Sequence, residues 1–177
     1  YANEMALGYY SQALERLLPE EPALHYDLLA GRERIHDLLG NREAQEQDLL
    51  RMGELAEKLG DARRQVEVLN RRARRAADMG AFEEGQTLGR RALQIAQDVG
   101  HSTGEAEAHN VLAILQTSAG EYGPAWESFQ LALETYRTLG QQEGVFTCLG
   151  NLGLLSLYRG NLDESKQFYE QALEMAI

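Results

Sequence analysis

Residues 120–160 read GEYGPAWESFQLALETYRTLGQQEGVFTCLGNLGLLSLYRG, two stretches of equal length marked off by glycines at 120, 140 and 160. The spacing continues toward the N-terminus, with glycine again at 100, 80, 60 and 40. Glycine is 17 of 177 residues, so chance alone would fill all seven positions about once in ten million trials, and a repeat array is the reading. Between the glycines, apolar residues recur at helical spacing, as in Val111, Leu112, Leu115 and Ala119, or Leu162, Phe168, Tyr169, Ala172 and Leu173. Each block is therefore one helix and a turn, the glycine taking the left-handed conformation that ends a helix without a Cβ clash.

The pattern predicts helices near 2–18, 22–39, 42–59, 62–79, 82–99, 102–119, 122–139, 142–159 and 162–177. Connections this short force consecutive helices antiparallel, and nothing reads as a strand or a long linker. Pro19-Glu20-Glu21-Pro22 breaks the first helix from the second. Asn41, Asp61 and Asn161 stand where N-caps are expected, and Ser102 with Glu105 and Asn161 with Glu164 have the capping-box spacing. The fold class is all-α, a single domain over 1–177 made of a half repeat at 1–18 and helix pairs at 22–59, 62–99, 102–139 and 142–177. Both ends fall inside apolar pattern, so the chain is expected to be a fragment of a longer protein, and the isolated fragment is expected to self-associate through its cut end faces without biological meaning.

The strongest identities return at 40 residues: Ala92-Leu93, Ala132-Leu133 and Ala172-Leu173, with Tyr10, Phe129 and Tyr169 each three residues ahead of an alanine. On these residues the chain resembles the tetratricopeptide repeat (TPR) family. Its motif is W-x2-L-G-x2-Y, then A-x3-F and a later alanine. One copy has Leu149, Leu152-Gly153, Ser156, Gly160, Ser165, Tyr169 and Ala172. Another has His109, Leu112-Ala113, Gln116, Gly120, Ala125, Phe129 and Ala132. Copies before residue 100 drift. The 40-residue period is similar to the repeats of large bacterial-type signalling ATPases and their regulator relatives, of peptide-sensing regulators and of some eukaryotic scaffold proteins, and His25 to Asp61 resembles the segment behind the nucleotide-binding module of such ATPases. The resemblance implies a right-handed superhelical solenoid of about nine helices, binding a protein or peptide in its concave groove.

Net charge is −11, divided as −6 over residues 1–60, +2 over 61–100 and −7 over 101–177. That balance argues against nucleic acid and anionic membranes as partners. No apolar run reaches the roughly 18 residues of a membrane span. The single cysteine, Cys148, excludes an internal disulfide framework and fits a cytoplasmic setting. No nucleophile, acid and base stand at recognisable spacing, and the phosphate-loop pattern is absent, so neither an enzyme nor a cofactor is expected. Glu33 and His36 have the Glu-x-x-His spacing of di-iron bundles, but there is no second copy and no metal site is expected.

If first helices line the groove, the partner-binding candidates are Asn70, Arg71 and Arg74 in the second pair, Asn110, Ile114 and Thr117 in the third, and Asn151, Leu154 and Tyr158 in the fourth. The resemblance implies that groove asparagines hold a peptide backbone, since an amide offers donors and an acceptor to a peptide bond. The alternative is that they bond neighbouring helices or water. Arg63, Arg64, Arg71, Arg72, Arg74 and Arg75 put six of 17 basic residues into thirteen positions. They serve an acidic peptide at the Arg71/Arg74 end, a phosphate or a nucleic acid, the last without interleaved aromatics to stack on bases, or they pair with Glu43, Glu46, Glu54 and Glu57 on the preceding helix. Trp126 is a partner anchor or packs on the next repeat. Helix-interior glycines Gly85, Gly89, Gly150 and Gly153 are expected at close helix contacts. A second function class is a small-molecule sensor closing around a sugar-like effector, which would need groove aromatics; Tyr158 is the one the sequence offers.

Overall fold

The computed structural model describes residues 2–18 and 20–175. Pro19 of the proline joint and the terminal Tyr1, Ala176 and Ile177 lie outside the described residues. Among the described residues there are nine helices and no strand: α1 (Ala2–Arg16), α2 (Pro22–Leu39), α3 (Arg42–Leu59), α4 (Ala62–Asp78), α5 (Phe82–Asp98), α6 (Ser102–Ser118), α7 (Tyr122–Thr138), α8 (Gln142–Tyr158) and α9 (Leu162–Glu174).

The turn is the same object seven times. Each period glycine has φ between 62° and 78°, and the next residue's N–H reaches back five positions, as in Ala81 to the Ala76 carbonyl at 2.8 Å and Asn161 to Ser156 at 2.9 Å. This closes the Schellman motif, which satisfies the last carbonyls of each helix. The N-terminal ends are less uniform. Asp61 has an extended backbone (φ −91°, ψ 96°), and its Oδ1 accepts from the N–H groups of Arg63 and Arg64 at 3.0 and 3.1 Å. Asn41 (ψ 66°) and Asn161 (ψ 76°) make no such bond, because a side-chain cap needs the extended backbone that Asp61 has. Ser102 is already inside α6 behind His101, so the expected box with Glu105 does not form; Glu105 accepts from Gln97 at 3.2 Å.

From α4 onward first helices converge while second helices splay: backbones of α4 and α6, and of α6 and α8, come within 8 Å, whereas no described Cα of α5 lies that close to α7. Helix α2 is further from α4 and is joined to it by side chains, as in Tyr26 with Glu67 and Glu33 with Arg71. The concave side is therefore built by α2, α4, α6 and α8.

Volumes are matched across this stack by residues 40 apart. Phe129 is 2% exposed and packs in one cluster with Ala113. Tyr169 lies over Gly153, where a Cβ would fall 2.9 Å from the ring. The equivalent of Phe129 in the second pair is Gly89, and Leu112 of the following helix fills the space, 2.9 Å from where a Cβ would stand. Leu115 does the same over Gly85 at 2.8 Å. Gly150 has no neighbouring atom within 4 Å and marks no contact, unlike the other three interior glycines. Trp126 takes its packing role, meeting Phe168 edge-on at 5.7 Å with the Arg159 guanidinium 5.0 Å over its ring.

Candidate functional site

The concave side holds a cavity of about 920 Å³. Its lining runs diagonally, from the C-terminal half of α2 across the length of α4 and the first half of α6 to residues 141–147 at the start of α8, with Tyr136 of α7 at the back. On α4 the facing residues Arg63, Glu67, Asn70, Arg71 and Arg74 form one helical stripe.

Arg71 sits at the centre and is fully engaged. It donates to Glu33 at 2.5 Å, to Glu67 at 2.6 Å and to the Ala30 carbonyl at 3.1 Å. Gln45 donates to Glu33 at 2.8 Å, and the Tyr26 hydroxyl to Glu67 at 2.8 Å. The result is a polar clasp joining the first pair to the second. Burial, reinforced by Glu67, holds the Tyr26 hydroxyl well above its ordinary range, and against its own desolvation Arg71 is raised by Glu67 and Glu33.

The other arginines divide into two groups. Arg64 donates to Asp27 at 3.0 Å and lies 4.7 Å over the Tyr26 ring; Arg75 and Arg72 reach Glu46 at 2.8 and 4.0 Å. Of the four glutamates expected as partners, only Glu46 serves. The rest of the pairing goes to α2 and to α4 itself. Arg63 and Arg74 are exposed and have no carboxylate within 4.0 Å among the described residues.

The asparagines knit neighbouring helices. Asn70 Nδ2 donates to the Gly104 carbonyl at 3.0 Å and toward Glu107 at 3.4 Å, while its buried Oδ1 has no partner. Asn110 is 3% exposed and accepts from Asn151 at 3.0 Å and from the Cys148 thiol at 3.7 Å. Burial pushes the Glu107 carboxyl up, opposed by the Asn70 amide, and pushes the Cys148 thiol up to about 12.

Four of the nine predicted residues, Asn70, Arg71, Arg74 and Asn110, line the cavity. The other five do not. Ile114 packs on the core, Thr117 donates to the Ala113 carbonyl at 2.7 Å, and Asn151 is held by Asn110. Leu154 and Tyr158 are exposed elsewhere, Tyr158 stacking on Tyr122 at 6.2 Å. The reason is the diagonal course: a register that assumes equal depth in every helix drifts out of the groove by α8. The same register extended differently, from Glu67 to Glu107 and Thr147 at 40-residue steps, finds lining residues that the sequence reading missed. Tyr136 has no such signal. Glu33 and His36 do not converge, since Glu33 faces Arg71 and Gln45 while His36 lies 3.9 Å from Asp48.

A curved stack of antiparallel helix pairs with one polar groove defines a helical-repeat solenoid. The tetratricopeptide repeat model matches residues 146–176, and the whole chain shares the fold of solved TPR-like repeat structures. Three solved structures share the fold. BtubC (BKLC) from P. vanneervenii is 21% identical with a TM-score of 0.74, covering 99% of this chain and 74% of that one. A Rap protein complexed with Competence and Sporulation Factor is 18% identical with a TM-score of 0.88, over 99% of this chain; the chain spans about half (49%) of that protein's length. A Podosopora anserina putative kinesin light chain with nearly identical TPR-like repeats is 15% identical, with a TM-score of 0.65 over 98% and 87% of the two chains. A comparison with curated protein sequences finds no match. No described helix is long and apolar enough to cross a membrane.

Proposed function

We propose that the chain is a non-enzymatic protein- or peptide-binding module, with its ligand in the diagonal groove. The observation that carries this reading is the state of the groove's cations: Arg71 is tied into the clasp, while Arg63 and Arg74 line the same cavity exposed and without a carboxylate partner. A charge held at a concave surface without an internal partner is available to an incoming group. The likeness to a Rap protein solved with Competence and Sporulation Factor supports a ligand-holding role for this fold. In a larger signalling or regulatory protein, occupation of the groove would favour one spacing of successive pairs and so bias a linked domain. The sugar-sensor alternative has less support, because Tyr136 is the one aromatic that lines the cavity among the described residues, and it is buried.

The test is selection of displayed random dodecapeptides on the wild-type chain and on an Arg74→Glu, Asn110→Ala double variant, with circular dichroism to show that both fold. Peptides retained by the wild type and lost by the variant support the groove. No enrichment, together with a metabolite that raises the melting temperature, would move the function to the sensor class.

A further inference from the structure

We infer that the groove selects an extended acidic peptide whose two anionic side chains stand about five residues apart, one met by Arg63 and the other by Arg74 with Arg34 beside it. This rests on the groove reading above and specifies its ligand.

Helices α2–α4 hold ten arginines. Arg32, Arg42, Arg51, Arg64, Arg71, Arg72 and Arg75 each have a carboxylate within 4.0 Å. The three that do not, Arg34, Arg63 and Arg74, are exposed, and all three line the cavity. The unpaired arginines of these helices therefore all fall in the concave surface, while the one lysine unpaired among the described residues, Lys58, lines a separate pocket.

Their placement follows from register. Contacts between α2 and α4 join residues 38 to 41 apart, as in Tyr26 with Glu67 and Ala30 and Glu33 with Arg71. That offset sets Arg34 level with Arg74. One end of the stripe thus carries two cations and the other, eleven residues back along α4, carries Arg63. Eleven residues of helix span about 16 Å. An extended chain covers that distance in about five residues, whereas a helical ligand would need anionic groups about eleven residues apart.

The acidic residues of the groove are engaged away from Arg63 and Arg34: Glu33 and Glu67 share Arg71, Asp37 pairs with Arg42 at 2.5 Å, and Glu107 accepts from the Asn70 amide at 3.4 Å, with Arg74 near it but beyond 4.0 Å. Glu143 is exposed on the α8 side, where it repels an acidic chain and confines it to the α4 side. Between the cations, the floor of the groove on the facing helix is formed by Asn110 and Val111, both buried at 3% exposure.

The experiment takes the tightest displayed dodecapeptide and makes a fluorescent set with two aspartates 3, 5, 8 or 11 residues apart. Binding is measured by anisotropy to the wild type and to Arg63→Gln, Arg74→Gln and Arg51→Gln. Expected is the tightest binding at a separation of about five, a loss of about five- to tenfold in each of the first two variants, and no change in Arg51→Gln, whose partner is Glu54 outside the groove. Affinity independent of spacing, or unmoved by Arg63→Gln and Arg74→Gln, overturns the inference. If selected peptides carry no acidic pair yet are still lost by Asn110→Ala, the groove stands and this ligand class falls; if no peptide is selected at all, both fall.

Discussion

Replacing Arg71 with alanine tests whether the clasp holds the first pair to the second. The guanidinium is 16% exposed and its partner Glu33 only 4%, so the substitution leaves a carboxylate buried against Gln45 alone. Removing one member of a buried pair costs about 3–5 kcal/mol. The surviving Gln45 bond and the open edge of Arg71 place this case at the lower end, about 3 kcal/mol. For a chain of this length that corresponds to a fall of roughly 6–12 °C in melting temperature. Arg72→Ala is the control: its contact with Glu46 is 4.0 Å long with both side chains 29% exposed, so the loss should stay below about 1 kcal/mol. Urea unfolding followed by circular dichroism measures both. Because the clasp bridges two layers of a one-dimensional stack, Arg71→Ala should also separate the melting of α1–α3 from the rest. Adding Glu33→Gln to Arg71→Ala removes the stranded charge and should restore about 1 kcal/mol or more. A cost in Arg71→Ala no larger than in Arg72→Ala, or no recovery in the double variant, would show that the clasp carries little energy.

Gly85→Ala should destabilise by about 1–3 kcal/mol in thermal melts, since its Cβ would meet Leu115 at 2.8 Å and the Ala73 carbonyl at 3.2 Å. Gly150→Ala, with nothing within 4 Å, should stabilise by about 0.5–1 kcal/mol. Asp61→Ala should cost about 1 kcal/mol by the same measure and Asn41→Ala close to nothing, because only Asp61 caps its helix. Cys148 should resist a thiol reagent at pH 8 until the chain is unfolded. Its pKa is raised from 9.0 to about 12 by burial, so its contribution to stability is complete below the unfolded value and is lost as pH rises from about 9 toward 12. Cys148→Ala should flatten that alkaline decline in urea titrations.

Helix ends were legible because a period glycine determines its own turn: the conformation at Gly80 or Gly140 is a local matter of one residue without a Cβ. Caps were half legible. Asp61, Asn41 and Asn161 have equivalent positions, and only the backbone angle, set by how neighbouring helices dock, separates the one that caps from the two that do not. Site chemistry was legible where it depended on residue type and failed where it depended on offset between pairs. Arg71 and Arg74 look alike in sequence, yet the 38-residue step to Glu33 consumes the first and leaves the second open. Tyr158 was misplaced for the same reason: the groove climbs from layer to layer, and a repeat period alone contains no information about that climb.

The repeated turn also sets the unit by which such a chain can be lengthened or shortened. Excising residues 101–140 would join Gly100 directly to Gln141, recreating a junction of the kind already present at Gly140. The fit survives because Leu152 and Leu155 stand 40 residues after Leu112 and Leu115, ready to fill the spaces over Gly89 and Gly85. Gly144 likewise succeeds Gly104 where Val66 presses close. Recombination within the coding sequence can therefore add or remove whole layers without redesigning either flank, while a 20-residue exchange would put a second helix where a first belongs. The clasp and the unpaired arginines lie ahead of that splice, so layers could be gained or lost at the far end with the basic part of the groove retained.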